Sequence, residues 1–196
     1  KLVDRFEFGP SPPRCEARFR KRLTGARELT AETAFWLRDH RYRGVDILRA
    51  DGRADITVTG RDYAVEVDPL LIVRHEGIAR GAFAVSSARD VVEFDGVSTI
   101  DPWAGSRILG IFTNLSDKAY AFDHPVRAEA EGWVSRTPPH GGVIEAVVAV
   151  DEFRAASARF RDVAFTFRRN GITNLLSEVR ADFYGGRLEA EISNWP

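Results

Sequence analysis

Apolar and polar residues alternate with a period of two along most of this chain, a rhythm that belongs to strands whose two faces meet different surroundings. Ile144, Ala146, Val148 and Val150 fall on one side of one run, and Val163, Phe165 and Phe167 do the same in the next. Leu188, Ala190 and Ile192 alternate with Arg187, Glu189 and Glu191, and Val179, Ala181 and Phe183 precede them across Gly185-Gly186. Glycine reaches positive φ without a Cβ clash, so this pair predicts a tight hairpin that puts both runs on one face. Earlier, Ala54, Ile56 and Val58 oppose Asp55, Thr57 and Thr59, and Gly60-Arg61-Asp62 turns the chain into Tyr63, Val65 and Val67. Helical patterning is short. One helix is expected from Asp101 as N-cap and Pro102 at the first helical position, carrying Trp103, Ile108, Ile111, Phe112 and Leu115. Single helical turns are expected from Pro69 to Val73 and at Leu175-Leu176.

With 196 residues, 44% hydrophobic and 29% charged, the chain has the composition of a folded domain large enough to bury a core. Its 28 basic and 29 acidic residues leave a net charge of -1, so no strong overall field draws it to nucleic acid. The lone Cys15 excludes an internal disulfide. The sequence contains no methionine and no apolar run of about 18 residues, so Lys1 is expected to follow a cleavage or an excision, with any anchor or export signal outside these residues.

Short catalytic signatures are missing: there is no glycine-rich phosphate loop, HExxH pattern, nucleophile elbow or CxxC pair. His40, His75, His124 and His140 are too widely spaced for a local metal motif. No catalytic residue, cofactor or metal is therefore assigned, and the chain is not expected to be an enzyme. Arg38, Arg41, Arg43 and Arg49 interleave with Phe35, Trp36 and Tyr42, but Asp39, Asp46, Asp51 and Asp55 offset them, which describes a solvated face better than a nucleic-acid surface. A sheet must also place 13 Phe, 4 Tyr and 4 Trp, either against a second layer or along an apolar ligand surface.

An approximate internal repeat organises these runs. Phe8 followed by Pro13-Arg14-Cys15-Glu16-Ala17 parallels Phe122 followed by Val126-Arg127-Ala128-Glu129-Ala130, and Arg41-Tyr42-Arg43-Gly44-Val45 parallels Arg159-Phe160-Arg161-Asp162-Val163. His75-Glu76-Gly77 stands before its strand as Tyr184-Gly185-Gly186 does. The expected organisation is a first β-rich module over 1–100, a short helical connector over 101–118 and a second β-rich module over 119–196. The fold expected is mainly β, with tandem curved antiparallel sheets forming an open groove and short connecting helices.

The order Tyr120 to Gly132, Arg159 to Val163, then Arg180-Ala181-Asp182-Phe183-Tyr184-Gly185-Gly186-Arg187-Leu188 resembles the repeating β-rich region of AsmA-like bacterial envelope proteins. The opening Phe6 to Arg14 and the juncture Ser98-Thr99-Ile100-Asp101-Pro102 are similar in style. The resemblance implies a periplasmic segment, tethered to the inner membrane through residues outside this sequence, that supports phospholipid transfer or outer-membrane maintenance. Its partners would be a phospholipid or another long-chain lipid, further repeats and envelope proteins, with no nucleic acid. The lining would comprise Val163, Phe165, Phe167, Val179, Ala181, Phe183, Leu188, Ala190 and Ile192. The other expectation is a structural or protein-interaction module of a larger envelope protein, without lipid cargo.

Overall fold

The alternating runs become strands. In a computed structural model, which describes residues 6–22, 28–109, 120–138, 141–155 and 157–193, the chain is almost wholly β. Strands β1 (Phe6–Phe8), β2 (Arg14–Arg22), β3 (Glu28–Tyr42), β4 (Val45–Thr59), β5 (Asp62–Val73), β6 (Ile78–Ser86) and β7 (Val91–Ser98) precede a helix, α1 (Pro102–Leu109). Strands β8 (Tyr120–Ser135), β9 (Gly142–Ala155), β10 (Ala158–Gly171), β11 (Thr173–Phe183) and β12 (Gly186–Ser193) follow. All belong to one 12-stranded antiparallel sheet in which β3 to β12 lie side by side in chain order. The long β3 carries β1 along Tyr42–His40 and β2 along Trp36–Glu28. The sheet is open, with β1 and β2 along one edge and β12 at the other.

Tight turns make this order possible. Arg43 and Gly44 have φ of 49° and 76° between β3 and β4, and Tyr184 and Gly185 have 48° and 80° between β11 and β12, the double positive φ of a turn whose twist suits a hairpin. The second hairpin therefore turns one residue earlier than the glycine pair suggests, and Gly186 already pairs with Phe183. Segments 41–45 and 159–163, alike in sequence, differ in conformation: the first rounds a hairpin and the second runs through β10. β7 and β8 pair from Val91↔Ser135 to Ser98↔Ala128, so spans 1–100 and 119–196 contribute to the same sheet. Of the connector, α1 occupies 102–109, and 110–118 lie outside the described residues.

Two expected helical turns are strands instead. Leu70 to Val73 pair with β4 and β6, and the register slips between Val67 and Leu70, leaving Pro69 at an irregularity where its missing N–H costs no ladder bond. Leu175 and Leu176 pair with Arg168 and Phe167 of β10, because a ready hairpin partner outweighs the helical tendency of a stretch too short to nucleate alone.

Two apolar clusters hold the sheet. Val126, Val150, Val163 and Ala181 are buried together, flanked by Phe122, Val148, Phe153, Phe160 and Phe165. Val45, Ile100 and Ala104 form the second with Ile72, Ala79 and Ile108, which seats α1 on the sheet. Asp101 caps the helix through its Oδ1, which accepts from the amides of Trp103 at 2.7 Å and Ala104 at 3.3 Å. At the other end the Arg43 guanidinium donates to the carbonyls of Arg107 and Ile108, at 3.3 and 3.4 Å.

Candidate apolar face and helix-end cleft

Directly opposite residues of an antiparallel ladder share a face, so the register can be followed from edge to edge. Cys15 of β2 pairs with Phe35, Phe35 with Gly52, Gly52 with Leu70, Leu70 with Gly81, and Gly81 with Gly96. The row continues through Ala130, Ala146, Phe167 and Leu176 to Ile192 of β12. It takes one residue from every strand between β2 and β12, and none is charged. A parallel row four residues along most strands runs Phe19, Ala31, Ile56, Val65, Val85, Val92, Val134, Gly142, again without a charge, while the row between them meets one, Arg169 opposite Ile144. The opposite side holds the ion pairs Arg49–Asp51 and Arg168–Glu145, the latter at 3.0 Å. Among the described residues, α1 is the element laid over the apolar side, and it covers one end.

The residues expected to line a groove fall on this side. Phe167 pairs with Leu176, Val179 with Ala190 and Ala181 with Leu188, while Val163 and Phe165 stand opposite Val150 and Val148. Val163 and Ala181 are buried; Phe165, Phe167, Val179, Phe183 and Ala190 are half-buried; Leu188 and Ile192 are exposed on the edge strand.

An aromatic ladder adjoins them. Trp103 on α1 lies 5.6 Å from Phe122, Phe122 lies 5.1 Å from Phe153, Phe153 lies 6.0 Å from Phe160, and Phe160 stacks on Phe183 at 4.6 Å. Alternation does not reveal it. Phe160 and Val163 share a cluster although three residues apart, since Asp162, with φ of 48°, inserts an irregular step between them. The nearest signal in the sequence is the recurrence of an aromatic three or four residues from a buried valine, as in Phe122/Val126, Phe153/Val150 and Phe160/Val163.

Beside α1 a cleft of about 440 Å³ is lined by Val45, Asp46, Arg74, Glu76, Asp101, Trp103, Arg107 and Phe122, among others. Its carboxylates are engaged. Asp46 accepts from Arg41 at 2.8 Å, which holds its carboxyl below the usual range. Burial pushes Glu76 up, but the Arg74 hydrogen bond and backbone amides outweigh it, and the net shift is downward. Asp101 serves the helix.

The histidines do not converge. His40 is buried beside Phe6, with ring centroids 5.9 Å apart, and neither of its nitrogens has a hydrogen-bond partner among the described residues. Burial lowers its pKa against the opposing pull of Asp39. His75 is exposed in the β5–β6 turn, the His124 side chain and His140 lie outside the described residues, and no group of three potential metal ligands occurs among the described residues.

Comparison with protein families, curated proteins and solved structures gives no match.

Proposed function

We propose that this chain binds phospholipid or another long-chain lipid, shielding acyl chains along the apolar side of its sheet in support of phospholipid transfer or outer-membrane maintenance. The uncharged row from Cys15 to Ile192 carries this reading. At about 4.8 Å between strands the row is about 48 Å long, against about 15 Å for one leaflet of a bilayer's hydrocarbon core. Each methylene withdrawn from water contributes about 0.8 kcal/mol, so an apolar track of this length is a favourable bed for a chain. The mechanism is passive: apolar side chains replace water, and the polar side keeps the sheet in solution. Shielding speeds exchange without choosing its direction, which needs a gradient or an energy-coupled partner. The setting proposed is the periplasm, with an inner-membrane tether and further repeats supplied from outside these residues. It rests on the resemblance to AsmA-like proteins.

The test is native mass spectrometry of folded protein after incubation with phospholipid vesicles. Wild type should carry phospholipid. Phe167→Asp, which puts a carboxylate into the row, should reduce occupancy at least tenfold, and Phe167→Leu should retain it, with circular dichroism confirming the fold of both. A wild type that stays folded and lipid-free would overturn the proposal and favour a scaffold whose apolar side is covered by a partner protein.

A further inference from the structure

The two edges of the sheet differ in charge. Strand β2 carries Arg14, Arg18, Arg20, Lys21 and Arg22 against Glu16, whereas β12 carries Arg187 against Glu189 and Glu191. In a chain of net charge -1, this is a local concentration of positive charge. Every residue of β2 is exposed, and its outer backbone edge has no strand partner among the described residues. Arg14 is occupied by Glu16 at 2.7 Å and lies over the Trp36 ring at 5.2 Å, and Arg20 approaches Glu32 only to 3.7 Å. The strand is also two-sided. Arg18, Arg20 and Arg22 project from the polar side, and Phe19, 69% exposed, projects with Cys15, Ala17 and Lys21 from the apolar side.

We propose that the β2 edge is a docking surface for an anionic phospholipid bilayer. The arginines match headgroup phosphates, and Phe19 on the reverse side matches the interfacial layer beneath them. Nucleic acid fits less well, because a stacking ring and several phosphate-binding cations would need to converge on one ligand, and here the three arginines point away from Phe19, which shares its side with one cation of the strand, Lys21. The inference deepens the shielding proposal, since the uncharged row begins at this edge with Cys15 and would open toward the membrane from which a chain is drawn.

The experiment is flotation of the full chain with vesicles of phosphatidylcholine alone and with added phosphatidylglycerol. Binding should require the anionic lipid and weaken with salt. The triple variant Arg18→Glu/Arg20→Glu/Arg22→Glu should lose about a hundredfold in partitioning, with the milder Arg→Gln triple losing less. Arg53→Glu/Arg61→Glu/Arg180→Glu, the same charge change on exposed residues elsewhere, should stay within twofold of wild type. Phe19→Ser should weaken binding with the salt dependence intact. Equal loss in both charge-reversed triples, no preference for anionic vesicles, or tighter binding to an oligonucleotide than to vesicles would each overturn the proposal. Lipid occupancy measured on the same variants separates the two readings. Occupancy without docking overturns docking alone, and docking without occupancy overturns shielding alone.

Discussion

Gly81 and Gly96 face each other where β6 and β7 cross the middle of the apolar row. A Cβ on Gly81 would collide with the Asp95 carbonyl oxygen and lie 2.7 Å from the Gly96 Cα, so backbone and not a flexible side chain would have to yield. Gly81→Val is therefore expected to cost about 1–3 kcal/mol, as overpacking typically does, read as a lower denaturation midpoint. His40 supplies a second prediction. Its folded-state pKa lies below the unfolded value of about 6.5, so below that pH the unfolded chain binds the extra proton first. The stabilisation from keeping the ring neutral is complete above about pH 6.5 and is lost as pH falls through the folded-state pKa. Denaturation between pH 7.5 and 5 should show wild type weakening toward acid, and His40→Phe should flatten that part of the slope.

At the level of elements, α1 offers two substitutions of opposite sign. Asp101→Ala removes the acceptor for two amides and should cost about 1 kcal/mol, with faster amide exchange at Trp103 and Ala104. Gly105 lies inside the helix with nothing within 4 Å of an added Cβ, so Gly105→Ala should gain about 0.8–1 kcal/mol, seen as a raised denaturation midpoint. How far such elements are legible depends on the regularity of the backbone. That the nine expected lining residues share a face is readable because the turn at Tyr184–Gly185 keeps the ends of β11 and β12 in phase, and Val163 to Phe167 pair with β9 without a slip. The ladder Phe122–Phe153–Phe160 is not readable, since irregular steps such as Asp162 shift the phase between an aromatic and its buried valine. The earlier half of the row is hidden for another reason. Gly52, Gly81 and Gly96 erase the apolar signal, and Pro69 ahead of Leu70-Leu71 imitates the first turn of a helix.

At the scale of the molecule, each strand from β4 to β11 pairs with the strands before and after it in the chain, and among the described residues no pairing between distant strands closes the sheet. Stability in such a layout is close to a sum of neighbour terms, as in repeat proteins, so opening should begin at the edges. Hydrogen exchange is expected to be fastest in β2 and β12 and slowest in β5 to β9; uniform protection across the sheet would contradict this. The same meander makes the molecule a ruler. A further hairpin would lengthen it by about 9.6 Å and leave the existing pairings untouched, whereas a single inserted strand would reverse the direction of every later one and move each later connection to the opposite rim. Reach is therefore counted in pairs of strands, and a longer apolar track would call for more corners like Tyr184–Gly185 and no remodelled pocket.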